Sequence, residues 1–150
     1  MKRWIAQTIA TFFYLGYSPF APGTVGTLGA IALFYLLSHF STLVYTLFFL
    51  GFTIISIWAS GEAEGIFGKT DPGRVVADEV CGYLVTMFLI PPSLRNIILG
   101  FFLFRFFDIV KPPPARRVER LPGGFGIVID DIFAGIYSNI VLQIVTRLIG

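Results

Sequence analysis

The stretch "GIVIDDIFAGIYSNIVLQIV", residues 126–145, places two adjacent aspartates, Asp130 and Asp131, inside an apolar run long enough to cross a bilayer. A helix needs about 20 mainly apolar residues to span the hydrocarbon core. An ionisable side chain at that depth is costly and usually belongs to a functional site. The stretch therefore predicts a membrane helix whose carboxylates face other polar groups of the chain.

The composition of the whole chain also predicts an integral membrane protein. Its 150 residues are 55% hydrophobic and only 13% charged, whereas soluble domains carry about 25% charged residues. The length indicates one domain, residues 1–150. The small net charge of +2 gives no sign of a nucleic-acid partner. The single cysteine, Cys81, excludes an internal disulfide and is expected to be an apolar packing residue.

Six apolar runs divide the chain: 4–15, 24–40, 42–59, 80–90, 94–110 and 126–149. Four of them reach about 17 residues, the lower limit for a helical span. The run 4–15 is shorter and is either interfacial or re-entrant, and Pro91-Pro92 ends the short run 80–90. We expect an all-α, polytopic membrane bundle with about four full spans and one or two short or re-entrant helices.

The distribution of charge predicts which side of the membrane carries the polar groups. With the N-terminus in the cytoplasm, nine of the eleven Lys and Arg residues fall on the cytoplasmic side, and only Arg95 and Arg147 lie outside. This is the bias expected for cytoplasmic loops. All nine acidic residues fall on the same side. Charge of both signs at one face indicates a polar site there.

The segment "SPFAPGTVGTLG", residues 18–29, has the pattern of a loop that turns into a helix, with Thr24 as the expected N-cap. Backbone N–H groups at a helix start favour a phosphate, and Gly23 would allow its close approach. Taken alone, an ordinary turn followed by small residues for helix packing is the simpler interpretation.

The segment "DPGRVVADEVCG", residues 71–82, combines a turn signal at Asp71-Pro72-Gly73 with two acidic residues, Asp78 and Glu79. These acidic residues are expected near a helix N-terminus, where the macrodipole favours anions. Acidic residues in a first turn are common, so this segment by itself leaves a functional and a structural role equally open.

The segment "FRFFDIVKPPP", residues 104–114, places Arg105, Asp108 and Lys111 at i, i+3 and i+6 on one helix face before Pro112 ends the helix. An ion-paired stripe near the interface would explain Lys111 well. It explains a partly immersed Arg–Asp pair less well.

The two aspartates of residues 126–145 cannot both face one point, because successive helical residues point about 100° apart. Asp131 shares its face with Gly135, a small residue that lets a neighbouring helix approach closely. We therefore expect Asp131 to face the centre of the site, near Asp78 or Glu79, and Asp130 to flank it.

Five carboxylates are expected at similar depth: Asp78, Glu79, Asp108, Asp130 and Asp131. Arg105, Lys111 and Lys69 compensate only part of this charge. A divalent cation with oxygen ligands would most simply neutralise the rest, and Mg²⁺ also binds substrate phosphates. The predicted metal ligands are Asp78, Glu79, Asp130 and Asp131. The predicted phosphate- and head-group-binding residues are Gly23, Thr24, Arg105, Lys111, Gly123 and Gly124.

Four motifs, "SPFAPGTVGTL", "DPGRVVADEVCGY", "FRFFDIVKPPP" and "GGFGIVIDDIFAG", occur in the order and spacing of one family. The chain resembles the phosphatidylglycerophosphatase A family of bacterial lipid phosphatases over nearly its whole length. The resemblance implies Mg²⁺-dependent hydrolysis of phosphatidylglycerol phosphate to phosphatidylglycerol and phosphate. It also implies a multi-pass protein of the bacterial cytoplasmic membrane, in contact with membrane lipids, whose active site faces the cytoplasm.

The resemblance also assigns roles to individual residues. The motif positions that carry over are Asp78, Glu79, Asp108, Lys111, Asp130 and Asp131, and Glu64 matches a frequent but less constant position. We expect Arg105 and Lys111 to hold the phosphate and Asp108 to orient one of them. Metal-bound water is the expected nucleophile, although the sequence leaves an aspartyl-phosphate intermediate open.

A second hypothesis is a small ion or proton transporter, or a channel subunit, that uses intramembrane carboxylates. A conducting path should place ionisable residues at several depths, whereas here they cluster at one face. Lipid phosphatases that use a histidine nucleophile and a second histidine fit badly, because the only histidine, His39, is expected at the opposite face.

Overall fold

The structure is a computed structural model that describes residues 1–69 and 72–149, and within these ranges all of its regular secondary structure is helical. Its helices are α1 Lys2–Ala10, α2 Pro22–Leu37, α3 Thr42–Phe67, α4 Ala77–Thr86, α5 Leu94–Val110, α6 Ala115–Val118 and α7 Gly124–Ile149. The predicted all-α class is confirmed. The turn predicted at Asp71-Pro72-Gly73 begins outside the described residues, because Asp71 is not among them.

Two helices, α3 and α7, are long and apolar enough to cross a membrane. Each has 26 residues and is therefore about 39 Å long at 1.5 Å per residue, compared with a hydrocarbon core of about 30 Å. Helices α2 and α5, with 16 and 17 residues, are close to the lower limit. The expected four full spans are not confirmed. Helix α4, with ten residues, is too short to span.

Two helix boundaries differ from the sequence-based expectation. Helix α3 does not end near residue 59 but continues through Glu62 and Glu64 to Phe67. The prediction stopped too early because a hydropathy pattern follows only the apolar part of a helix.

The prediction of Thr24 as N-cap is wrong. Helix α2 begins at Pro22, after Ala21 in a left-handed conformation with φ 42°. Proline suits this first position because its fixed φ fits the helix and its missing N–H is not needed there.

The short helix α4 is the central element of the bundle. It packs most extensively against α7 and also contacts α2, α3 and α5. All of its residues except Val85 are buried, including Cys81, whose predicted packing role is confirmed. Its burial fixes the position of Asp78 and Glu79, which lie in its first turn.

The outer surface of the bundle is apolar, as a lipid-facing surface requires. Along α3, the exposed side chains include Leu43, Leu47, Leu50 and Ile54. A surface of this kind would associate non-specifically in water, since soluble proteins rarely expose large contiguous apolar patches. In a bilayer it meets acyl chains instead.

Helices α4 and α7 cross at two glycines, Gly82 and Gly135. A Cβ atom built on Gly135 would lie 2.3 Å from the Gly82 carbonyl oxygen, and one on Gly82 would lie 2.7 Å from the Asp131 carbonyl oxygen. Neither position has room for a side chain, so the two backbones are in direct contact. The close helix approach predicted at Gly135 is confirmed, and it brings the first turn of α4 towards Asp131.

Replacing Gly135 with alanine is expected to push α4 away from α7 and destabilise the fold by roughly 1–3 kcal/mol, the usual cost of overpacking. The matched control is Gly51→Ala in α3, where an added Cβ meets nothing within 4 Å. This control should be neutral or stabilising by up to about 1 kcal/mol, because alanine favours helix more than glycine does. The midpoint of thermal unfolding in detergent measures both. Equal midpoints for the two variants would show that the crossing tolerates a side chain.

Candidate active site

Three buried carboxylates form the centre of the candidate site. Asp78 and Glu79 come from the first turn of α4, and Asp131 comes from α7. One carboxylate oxygen of each lies within 4.8 Å of the others, although the residues are only 8%, 9% and 2% exposed. The N-terminus of α4 favours negative charge near Asp78 and Glu79. We call these three residues the carboxylate triplet.

The carboxylate triplet has the composition of a site for a hard divalent cation. Burial, and then the nearby charge of Asp108, raise the pKa of Glu79 to about 7. Within the described ranges, no hydrogen bond reaches the buried Glu79 Oε2 or Asp131 Oδ2. Buried acceptor oxygens of this kind are costly unless something neutralises them. Oxygen donors are the ligands that hard divalent cations such as Mg²⁺ prefer.

A chain of alternating charges adjoins the triplet at the C-terminal end of α5. The Arg105 Nη1 group donates a hydrogen bond of 2.7 Å to Asp108 Oδ2, and the Lys111 Nζ group donates one of 3.2 Å to Asp108 Oδ1. Arg105 Nη1 also lies 3.8 Å from Glu79 Oε2. Asp108 thus holds both cations, whereas the sequence predicted that it would orient one.

Lys111 connects this chain to α7. Its Nζ atom donates a hydrogen bond of 2.8 Å to Asp130 Oδ2 and lies 3.6 Å from Asp131 Oδ1. Burial alone would lower the pKa of Lys111, but the charges of Asp131, Asp108 and Asp130 raise it above its ordinary value. Lys111 is therefore a permanent cation between the two helices.

The two adjacent aspartates of α7 have different surroundings. Asp131 belongs to the carboxylate triplet. Asp130, which the sequence placed among four metal ligands, lies against Lys111 and also accepts the Asp131 backbone N–H at 2.9 Å. The structure thus places only three of the four predicted ligands in one group.

The N-terminus of α2 lies on the same site. A Cβ atom built on Gly23 would be 2.8 Å from Glu79 Oε1 and 3.2 Å from Arg105 Nη1. No side chain caps this helix among the described residues, so its first N–H groups remain available to a ligand. A helix N-terminus of this kind favours a phosphate. The structure therefore places Gly23, and with it the first turn that contains Thr24, beside Glu79 and Arg105.

Exposure differs between the acidic and the basic side chains of the site. The side chains of Arg105 and Lys111 are 22% and 20% exposed, whereas that of Asp131 is 2% exposed. An anion that approaches from solvent can therefore contact the two cations without reaching Asp131.

The remaining predicted residues lie elsewhere. Gly124 is in tight backbone contact with α3, because a Cβ there would be 1.8 Å from the Ile57 carbonyl oxygen. Gly123 and Glu64 line a neighbouring cavity together with Glu119. Glu119 was missed as a site residue, although its Oε2 lies 3.9 Å from Lys111 Nζ. Its position in a loop gave no periodic signal that could have revealed this contact.

Comparison with known proteins gives a family match over most of the chain. The model of the family described as phosphatidylglycerophosphatase A matches residues 8–146. The phosphatidylglycerophosphatase A of Escherichia coli is 34% identical over 91% of this chain and 81% of its own length. The Haemophilus influenzae protein of the same name is 39% identical over 81% of this chain and 77% of its own length.

A further relative carries a different name. A protein of Bacteroides thetaiotaomicron, provisionally named a phosphatidylinositol-3-phosphatase, is 42% identical over the full length of both chains. No solved structure matches the chain significantly.

Proposed function

This chain belongs to the phosphatidylglycerophosphatase A family of phosphatases, and we propose that it removes the terminal phosphate of phosphatidylglycerol phosphate, with Mg²⁺, at the cytoplasmic face of a bacterial membrane. The observation that carries the proposal is the junction of three elements. The buried carboxylate triplet, the Arg105–Asp108–Lys111 chain and the N-terminus of α2 meet at one site.

The basic residues and the start of α2 are suited to hold the phosphate. Arg105 and Lys111 are fixed by Asp108, so their charges are already in place when negative charge develops on the phosphoryl oxygens. The backbone N–H groups near Gly23 add uncharged donors beside Arg105. Asp108 is a positioning residue in this scheme, because its oxygens are used by the two cations.

The carboxylate triplet is suited to hold the Mg²⁺ ion. A bound divalent cation polarises a phosphoryl oxygen and lowers the pKa of a bound water, which yields a nucleophile at neutral pH. Asp78, Glu79 and Asp131 would supply its protein ligands and would exclude bulk water from it. Asp130 holds Lys111 close to the triplet, which explains how an aspartate next to a metal ligand can contribute without binding the metal.

The cytoplasmic position of the site is inferred from charge. The segments between helices at the end of the bundle that holds the site, together with the short helix α6, carry many of the Lys and Arg residues, among them Lys69, Arg74, Arg116, Arg117 and Arg120. Such loops remain on the cytoplasmic side of bacterial membranes. The lipid would enter with its acyl chains along the apolar outer surface and its head group at this end.

A phosphatidylinositol phosphate is a second candidate substrate, because the relative that aligns over the full length of both chains is named for it. Both lipids carry a phosphomonoester on a polyol head group, so the same catalytic centre suits both. The transporter hypothesis gains no support, since the comparisons point to phosphatases and the charged residues of the site lie at one end of the bundle.

Purified protein in mixed micelles is expected to release phosphate from phosphatidylglycerol phosphate when Mg²⁺ is present and to stop in excess EDTA. Phosphatidylinositol 3-phosphate, assayed in parallel, tests the second candidate through the ratio of the two kcat/KM values. A colorimetric phosphate assay provides the measurement. Full activity in EDTA would remove the cation from the mechanism, and activity on neither lipid would contradict the proposal.

Replacing either aspartate of α7 with asparagine should have a different effect on stabilisation by Mg²⁺. In Asp131→Asn, Mg²⁺ should no longer raise the unfolding temperature, because a triplet ligand is lost. In Asp130→Asn this stabilisation should persist, at up to about 2.7 kcal/mol when Mg²⁺ is roughly a hundredfold above its Kd. We expect turnover to fall by at least about a hundredfold in Asp131→Asn, since metal-based stabilisation amounts to several kcal/mol. Equal Mg²⁺ stabilisation of both variants would contradict this division of roles.

Cysteine labelling tests the proposed orientation. In intact cells, an impermeant thiol reagent should label His39→Cys, in the turn between α2 and α3. It should not label Arg117→Cys, in α6 two residues before Glu119. Both positions are exposed. The native Cys81 is fully buried and serves as the internal control. Labelling of Arg117→Cys in intact cells would place the site on the outer face.

A further inference from the structure

A cavity of about 390 Å³ lies directly beside the catalytic centre. Its walls come from Glu64 on α3, from Glu119, Arg120 and Gly123 in the connection between α6 and α7, and from Ile127 on α7. We propose that this cavity binds the polyol part of the lipid head group, with Glu64 and Glu119 accepting hydrogen bonds from its hydroxyl groups. This inference rests on the proposed function, because it names the part of the substrate that this cavity holds.

The position of the cavity fits a group bonded to the reacting phosphate. Glu119 Oε2 lies 3.9 Å from Lys111 Nζ, which in turn is 2.8 Å from Asp130 Oδ2. Ile127 precedes Asp131 by four residues and therefore lies one turn away on the same face of α7. The cavity thus begins where the phosphate-binding residues end.

The charge of the cavity favours an uncharged, hydroxyl-bearing group over a second phosphate. Among the described residues, the charged side chains that line it are Glu64, Glu119 and Arg120, and their formal charges sum to −1. Ionised carboxylates only accept hydrogen bonds, so a hydroxyl group suits them and a phosphate oxygen does not. Glu119 already lies near Lys111, which allows one side chain to contact both the phosphate-binding cation and the polyol.

The size of the cavity also exceeds what a phosphate group needs. Pockets for small organic ligands occupy roughly 300–1,000 Å³, and this one falls within that range. Both candidate substrates place a polyol beside the phosphomonoester: a glycerol in phosphatidylglycerol phosphate and an inositol ring in phosphatidylinositol 3-phosphate. Phosphatidic acid has no polyol between its phosphate and its diacylglycerol, so it would leave the cavity without this contact.

We expect Glu64→Gln to raise KM for a polyol-bearing lipid by about tenfold with a smaller change in kcat, since hydrogen bonds to charged groups are stronger than those to neutral groups. The matched control is Glu62→Gln, which changes an exposed glutamate of the same helix that does not line the cavity. Initial rates are measured in mixed micelles with phosphatidylglycerol phosphate, phosphatidylinositol 3-phosphate and phosphatidic acid. The kcat/KM ratio of each polyol lipid to phosphatidic acid should fall in Glu64→Gln and stay unchanged in Glu62→Gln.

A second variant, Glu119→Gln, should lower the same ratio and also reduce kcat, because its side chain lies near Lys111. The polyol lipid whose ratio falls further identifies the group that the cavity fits best. Equal KM values for Glu64→Gln and Glu62→Gln, or an equal rise for phosphatidic acid, would overturn the inference while leaving the phosphatase function intact. Failure of the wild type on both polyol lipids would overturn the proposed function as well.

Discussion

The backbone contact between α4 and α7 at Gly82 and Gly135 determines the geometry of the rest of the site. Without side chains at these positions, the two helices come close enough to place the first turn of α4 beside Asp131. Three buried carboxylates repel one another, and their proximity is maintained by the packing of a nearly completely buried helix. Packed interiors resist adjustment, because even one added methyl group forces neighbouring atoms to move.

The charges around this contact divide into two parts with different tasks. The carboxylate triplet concentrates negative charge in the interior, whereas Arg105 and Lys111 present positive charge on the accessible side. Asp108 lies between Arg105 and Lys111 and fixes both cations through hydrogen bonds. Removing one charged residue from a buried ionic network destabilises the fold by more than the lost attraction, because the remaining charges are then left without a partner. We expect the whole network to be needed for a catalytic centre of this kind.

The names of the relatives of this chain refer to two different head groups. Two carry the name phosphatidylglycerophosphatase A, and a third is provisionally named for a phosphoinositide. If the cavity beside Lys111 holds the polyol, the residues that act on the phosphate and the residues that select the head group lie in different parts of the molecule. Substrate choice can then change through the lining of the cavity, since a site built to bind hydroxyl groups discriminates strongly against analogues that lack them.

The sequence by itself determined the features that depend on residues close together in the chain. The all-α class follows from the apolar runs, and the Arg105–Asp108–Lys111 contacts follow from spacings of three residues on one helix. The close approach at Gly135 could be predicted because a small residue shares a helix face with Asp131. Only the tertiary structure decided that Asp130 pairs with Lys111 and that Glu119 reaches the site. These features depend on distances between segments far apart in sequence, and helical periodicity carries no information about such distances.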